Sequence, residues 1–336
     1  MTHDAAFPSG CNRRQMMRWL LAGGVAACTG CRKTARHEMR VGFLPNLTHA
    51  VPMVIEERKL LAEAIGRPVV FVPFAAGPSL IEALFAGDLD VGYCGPGPAI
   101  NAFVRSRHRV RVLAAATYGG AAFVVRKELA IDTPRGLRKA RLASPQIGNT
   151  QDIALRQWLA DNDLVSSDRG GTVRVVPMAN PDILSLFRSK EIDGAWVVEP
   201  WVSRLVDEGG GRVYLEESEL HENGVYPTTL LVATQDLLAA HPRDIENLVN
   251  VNAAAVSWVN GNAANARDLV NASLRRHAGK PLQKALIESA WTRLSFGTDP
   301  LAKSLKESAR TARRLGYLPS SDITGIIMEP KEWEVR

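Results

Sequence analysis

A two-lobed α/β protein, each lobe a sheet covered by helices and the two lobes facing each other across a cleft, is the fold that this 336-residue sequence predicts. Three observations predict it. Two stretches of the chain repeat the same order of signals. Within each, β-branched runs alternate with helix-spaced apolar residues, the pattern of parallel sheets with helices on both faces. The composition, 46% hydrophobic and 23% charged, fills a large core without the charge excess of a disordered chain, and the length suggests about two units of roughly 150 residues each.

The N-terminus reads as an address rather than as fold. Asn12, Arg13, Arg14, Gln15, Met16, Met17 and Arg18 form a twin-arginine pattern, and an apolar run over residues 19–27 follows. Charge, then a short apolar stretch, then small residues, is the order of an export signal. The run is shorter than the about 20 residues of a bilayer-spanning helix, and no later segment is both apolar and long enough to span. Val25, Ala26, Ala27 and Cys28 resemble a bacterial lipobox, in which Cys28 is acylated and becomes the first mature residue. Residues 1–27 are therefore expected to be the signal and residues 28–38 a short polar tether. The alternative is an uncleaved anchor, which also leaves the protein on the outer face of a membrane.

Charge and cysteines exclude other classes. The formal charge is +6, and setting aside Arg13, Arg14, Arg18 and Asp4 lowers it to about +4. Arg105, Arg107, Arg109 and Arg111 alternate in one stretch, read as a solvated loop and strand edge, so no nucleic-acid partner is expected. Cys28 and Cys31 have the spacing of half a zinc motif, but no second pair and no suitable histidine cluster accompany them, so no metal is expected. Cys94 reads as a buried free thiol, with a Cys31–Cys94 disulfide as the other reading.

The internal repeat organises the rest. Pro78 and Pro181 each stand at a first helical position, followed by apolar residues at helical spacing: Leu80, Ile81 and Leu84 in one case, Ile183, Leu184 and Phe187 in the other. Asp88, Leu89 and Asp90 match Glu191, Ile192 and Asp193, and strands at 91–94 and 194–198 follow. Upstream, β-branched strands at 69–73 and 173–177 precede the two helices. Longer helices at about 50–65 and 151–161, and strands at 39–43 and 140–143, precede those. Residues 112–117 and 121–126 are strand-like and separated by Tyr118, Gly119 and Gly120; the second run is the expected crossing between lobes. The chain is expected to return at 227–233, after a strand at 212–215. Lobe one is thus expected at 39–122 and 227–336, and lobe two at 123–226. The remainder reads as helical, with Asp299 and Pro300 starting a helix that Gly316 ends, and is expected to pack on lobe one.

In such sheets ligands bind beyond the carboxyl ends of the strands. The loops there hold Asn46, Thr48 and His49; Gly77; Gly95 and Pro96; Gln146, Asn149 and Thr150; Ala179 and Asn180; and Glu199 and Trp201. Several open directly onto a helix N-terminus, which favours an anionic group. Each residue also has a plainer role. Asn46, Thr48, Asn149 and Thr150 suit helix caps, His49 a structural hydrogen bond, and residues 95–98 a rigid turn. Glu199 can receive an ammonium from a solute, pair with a protein arginine, or stay wet. Trp201, Tyr118 and Tyr93 suit apolar cleft walls, and Trp196 suits the core.

Four segments carry a family resemblance. Residues 42–50 with Asn46, Thr48 and His49, residues 86–92 from Ala86 to Gly92, Gly95 to Pro98, and Glu199 with Pro200 and Trp201 together resemble the nitrate, sulfonate and taurine family of periplasmic binding proteins. The likeness runs from about residue 39 to residue 320. It implies a type II periplasmic-binding-protein fold without cofactor, acting as a monomer. It also implies capture of a small organic anion and its delivery to an ABC permease driven by a separate ATPase, with lipid anchoring through Cys28. The ligand contacts it implies are Asn46, Thr48, His49, Gly95, Pro96, Asn149, Thr150 and Glu199. Members bind nitrate, bicarbonate, alkanesulfonates, taurine, thiamine precursors and aromatic acids. The rival readings are an enzyme on the same fold, of pyrimidine-precursor or menaquinone-pathway type, and a solute sensor for a membrane kinase. No nucleophile elbow, zinc helix or phosphate loop stands in the sequence to support the enzyme.

Overall fold

The structure, a computed structural model, describes residues 38–329. The signal, Cys28, Cys31 and the expected tether up to residue 37 lie outside the described residues. The first half of the fold runs β1 (Met39–Phe43), α1 (Ala50–Glu57), α2 (Leu60–Ile65), β2 (Val69–Pro73), α3 (Gly77–Ala86), β3 (Val91–Cys94), α4 (Pro96–Arg105) and β4 (Val110–Gly119). There follow β5 (Ala121–Arg126), β6 (Arg141–Ser144), α5 (Thr150–Asp161), β7 (Arg174–Pro177), α6 (Asn180–Arg188), β8 (Gly194–Val198), α7 (Trp201–Asp207) and β9 (Gly211–Glu216). The C-terminal part comprises β10 (Pro227–Thr234), α8 (Gln235–Ala240), α9 (Pro242–Gly261), α10 (Ala263–Ala278), α11 (Lys284–Trp291), β11 (Leu294–Phe296) and α12 (Ala302–Arg314).

These strands form two sheets, ordered β11-β4-β10-β3-β1-β2 and β7-β6-β8-β5-β9. The duplication is visible in both. β1 lies between β2 and β3 in parallel, and β6 lies between β7 and β8 in parallel. The sheets are not purely parallel, as the alternation of strands and helices suggests. β10 runs antiparallel to β3, and β5 antiparallel to β8, because each is a strand arriving from the other lobe. The crossing from β4 to β5 needs two residues at positive φ, Gly119 at 70° and Gly120 at 79°, a conformation that glycine adopts without steric penalty.

Buried faces explain the elements. β3, β5 and β8 are buried along almost their whole length, as central strands covered on both faces must be. Lobe one has two cores, one on each face of its sheet. Leu47, Val54, Leu248 and Val259 belong to the first, and Leu80, Phe103, Leu305 and Ala309 to the second, so the C-terminal helices cover both faces. In lobe two, Trp196 lies in the core, stacked on Phe123 with ring centroids 5.6 Å apart.

Local departures from the sequence pattern have physical causes. The helix expected over 50–65 is two helices. The apolar run Ala50 to Ile55 is wholly buried, then four charged residues follow, and Lys59 at φ 55° turns the chain into α2. Residues 96–98 are not a separate turn but the first turn of α4, with Gly95 as its N-cap. β11 forms within the region read as helical because it pairs with Thr117, Tyr118 and Gly119 of β4. Arg111 is not solvated; it is buried within β4. Tyr93 is no cleft wall, being fully buried with its hydroxyl on Asn252 at 3.1 Å. Cys94 is a buried free thiol whose pKa burial pushes up to about 12.

Candidate functional site

The loops at the carboxyl ends of both sheets meet, and the lobes touch there directly. The Leu47 N–H donates to the Glu199 carbonyl at 3.1 Å. Trp201 Nε1 donates to Asn46 Oδ1 at 2.9 Å. The Gly97 N–H donates to Thr150 Oγ1 at 3.1 Å. Among the described residues, cavities of about 860, 560 and 320 Å³ lie around this line of contact.

The largest, about 860 Å³, is lined from lobe one by Pro45, Asn46, Phe74, Ala75 and the segment around His277 and Lys280, and from lobe two by Ala179, Asn180, Trp201 and Arg204. A second, about 560 Å³, is lined by Ala75, Ala76, Ser79, Gln146, Ile147, Ala179 and Asn180. The two share Ala75, Ala179 and Asn180, so they are neighbouring compartments of one cleft, with dimensions suited to small molecules. A third, about 320 Å³, lies beside the Gly97–Thr150 contact and is lined by Gln157, Glu217, His221 and Glu307 among others.

The chemistry of the cleft follows from its helix ends. α3 and α6, the duplicated helices, begin at it with alanine N-caps, Ala76 and Ala179. Neither alanine has a side-chain acceptor, so neither N-terminus receives a side-chain cap. Uncapped N-terminal N–H groups and the positive end of the helix dipole attract an anion. The charged side chains nearby are mostly committed. Arg204 forms a two-pronged pair with Glu208 at 2.7 and 3.1 Å and lies over the Trp201 ring. His277 Nε2 lies 3.0 Å from Glu56.

The structure treats the expected site residues unequally. Asn46 and Trp201 line the large compartment, Gln146 lines the second, and Thr150 lines the cavity on the far side. Thr48, His49, Gly77, Gly95, Pro96, Tyr118, Asn149 and Glu199 line neither compartment of the cleft. His49 is buried, its Nδ1 accepts the Leu44 N–H at 3.3 Å, and burial lowers its pKa to about 3; it is a neutral structural histidine. The Thr48 carbonyl holds the Thr229 hydroxyl at 2.7 Å. Asn149 caps α5, accepting the Thr150 N–H at 2.8 Å. The Tyr118 hydroxyl turns to the Asp299 carbonyl at 2.8 Å.

The glycines are there for closeness. A Cβ on Gly77 would stand 2.5 Å from Pro98 Cγ, and one on Gly95 would stand 2.4 Å from Thr150 Oγ1. Pro96, buried, sets the first turn of α4.

Of the three partners open to Glu199, the protein supplies the arginine. Glu199 is 0% exposed, and its Oε1 lies 3.1 Å from Arg293 Nη1. Ser203 donates to it twice, from Oγ at 3.0 Å and from its N–H at 3.1 Å. Burial pushes its pKa above the ordinary carboxylate range, while the Ser203 N–H and the Arg293 charge pull it back. Arg293 also reaches Glu216 at 2.9 Å. Since Arg293 stands between α11 and β11 and both carboxylates belong to the lobe-two half of the chain, this network ties the lobes together. No motif marked Arg293 or Ser203 in the sequence. Asn180 stood in a recognised cleft loop, but its neighbours gave no reason to single it out.

Comparison with known proteins adds to this geometry. Residues 32–274 match the profile of the NMT1-like family. A binding protein of Brucella abortus (strain 2308) is 25% identical over 232 residues, 69% of this chain and 70% of its own. The taurine-binding periplasmic protein of Escherichia coli (strain K12) is 28% identical over 197 residues, 57% of this chain and 58% of its own. The alkanesulfonate-binding protein SsuA from Xanthomonas axonopodis pv. citri, solved bound to MOPS, superposes with a TM-score of 0.73 at 19% identity, covering 87% of this chain and 98% of that one. The periplasmic nitrate-binding protein NrtA from Synechocystis PCC 6803 superposes with a TM-score of 0.70 at 15% identity, covering 88% and 87%. At those identities the structural likeness speaks for the fold, the two-lobed α/β architecture of periplasmic binding proteins.

Proposed function

Because the chain belongs to the NMT1-like family, we propose that it is the solute-binding component of an ABC-type importer, capturing a small organic anion between its lobes and handing it unchanged to a membrane permease. The observation that carries this reading is the pair of alanine-capped helix N-termini, α3 from one lobe and α6 from the other, opening on one cleft. Each presents the N–H of its first residue, Gly77 or Asn180, while the proline that follows has none, and hydrogen bonds to a charged group are worth roughly 1.5–3 kcal/mol apiece. A few of these, less the cost of association, suffice for about −8 kcal/mol, or micromolar affinity.

The mechanism is a change of population. Asn46, Trp201, Gly97 and Thr150 bond to one another across the lobes. Those contacts break when the lobes part, and a solute held between the helix ends of both lobes adds interactions made only when they meet, so it favours the closed form that a permease recognises. The sulfonate-, taurine- and nitrate-binding relatives support an anionic solute of that size. The twin-arginine and lipobox patterns support a periplasmic location with an anchor through an acylated Cys28. Among the described residues no helix is long and apolar enough to cross a membrane.

The test is thermal-shift screening of the full chain against sulfonates, carboxylates, nitrate and pyrimidines, followed by calorimetry on the hits. One anion class should bind 1:1 and be recovered intact. Conversion of the solute, or no binding across all the anion classes, refutes the proposal.

A further inference from the structure

Asn180 stands at the junction of the two compartments of the cleft and lines both. It is the first residue of α6, 6% exposed, and its side-chain Oδ1 is buried with no hydrogen-bond partner among the described residues. A buried acceptor without a donor is uncommon and costs stability. Two of the donors that line the same compartments are committed elsewhere. The Ser79 hydroxyl donates to the Ala76 carbonyl at 2.8 Å, and Trp201 Nε1 donates to Asn46.

The duplication sharpens the contrast. Asn180–Pro181 in lobe two stands where Gly77–Pro78 stands in lobe one. At Gly77 a Cβ would collide with Pro98, so that lobe can present no side chain at this point. Only lobe two carries a side chain here, and it is a carboxamide with a free acceptor.

We propose that Asn180 is a specificity-determining residue of the cleft, its Oδ1 accepting a hydrogen bond from an N–H or O–H group on the bound anion. The inference rests on the reading of the cleft as a solute site and adds a demand on the solute. The positive helix ends take its anionic group, and Asn180 selects for a donor elsewhere on the same molecule. A solute lacking that donor leaves the acceptor unpaired in the closed cleft, and the discrimination expected from one such loss is about 10-fold or more.

The experiment is calorimetric titration of the full chain with matched pairs that differ by one hydroxyl: ethanesulfonate against 2-hydroxyethanesulfonate, and propionate against 3-hydroxypropionate. The wild type should prefer the hydroxylated member of the pair it binds by about 10-fold. Asn180→Ala should bring the two members together by weakening the hydroxylated one alone, with a thermal midpoint no lower than that of the wild type showing that the fold is intact. Asn180→Asp keeps an acceptor, so it should weaken both members while retaining their ratio. Equal wild-type affinity for the two members, an equal loss of both in Asn180→Ala, or loss of the preference in Asn180→Asp overturns this inference and leaves the solute-binding function standing. Binding of no member of either pair overturns this inference; only if nitrate and the wider anion panel also fail does the proposed function fall with it.

Discussion

Replacing Arg293 by methionine tests the tie between the lobes. The substitution keeps an unbranched side chain and removes the guanidinium that faces Glu199 at 3.1 Å. Removing one partner of a buried ion pair costs about 3–5 kcal/mol, because the other charge is left without compensation. Two features of this pair favour the lower end. Arg293 is 26% exposed, and Ser203 goes on donating to both Glu199 oxygens. A loss of about 3 kcal/mol, a little over 100-fold in the folding equilibrium, is therefore expected at neutral pH. The pH dependence identifies the cause. Burial already raises the folded pKa of Glu199 above its ordinary 4.5, and removing the cation raises it further. A raised folded pKa gives stability that is fully present below 4.5 and is lost as pH rises through the folded value. The deficit of Arg293→Met should therefore be largest at neutral pH and shrink on acidification towards 4.5, since a protonated Glu199 needs no cation. Urea unfolding at several pH values, followed by tryptophan fluorescence, measures this. Adding Glu199→Gln to the variant should restore most of the loss at neutral pH. A deficit under about 0.5 kcal/mol, or one that grows on acidification, refutes the reasoning.

Other outcomes follow from the same geometry. Glu217 is buried, accepts the Trp196 Nε1–H at 2.6 Å, and has its pKa raised to about 7 by burial. Stability should fall as pH rises through about 7, by roughly 3 kcal/mol between full protonation and full ionisation, and Glu217→Gln should flatten that slope in pH-dependent urea melts. Gly95→Ala places a methyl 2.4 Å from Thr150 Oγ1 across the lobe contact. It should hold the lobes apart, seen as a larger radius of gyration in solution scattering, and Thr150→Gly should reverse the effect. Cys94, with its thiol pKa near 12 and no exposure, should resist a thiol reagent in the native protein and react once it is unfolded.

The fold was legible because its signals are local. The strands at 69–73, 91–94, 121–126 and 194–198 stand where β-branched and apolar runs place them. The paired Pro78 and Pro181 mark helix starts that the structure repeats in α3 and α6. The site was less legible because its chemistry depends on contacts between distant segments. His49 and Asn46 are three residues apart in one loop. Yet one is buried and accepts the Leu44 N–H while the other bonds to lobe two, a difference set by packing rather than by residue type. For Glu199 the sequence could name a cationic partner as one option, but Arg293 lies 94 residues away in a stretch with no motif. The value of Asn180 rests on what its neighbours do not offer it, which no spacing encodes.

The two halves of the duplication are equal in plan and unequal in attachment, and the inequality divides the work of the cleft. The loops of the repeated β-α-β-α-β units, with their alanine-capped helices and Asn180, form the smaller compartment and, together with the segment around His277 and Lys280, the larger one. The side-chain links that span the lobes come largely from the C-terminal segment that covers lobe one. Arg293 bonds Glu199 and Glu216, Tyr317 bonds Asp152 at 2.8 Å, the Leu315 carbonyl receives Arg169, and Arg314 pairs with Asp161 at 3.5 Å. The links at Arg293, Arg314, Leu315 and Tyr317 line neither compartment, so closure and recognition are carried by different residues. A ligand shifts a two-state equilibrium only by its differential affinity for the two states, and the intrinsic position of that equilibrium scales its apparent affinity. Tyr317→Phe removes the hydroxyl that holds Asp152 while leaving the ring, at a cost of about 1 kcal/mol to closure. It should therefore weaken every solute by the same factor of about 5 and leave the ratio between solutes untouched. Asn180→Ala should do the reverse, changing the ratio. Calorimetry on two solutes with both variants separates the roles, and a Tyr317→Phe protein that discriminates differently from the wild type would show that closure and recognition share the same residues after all.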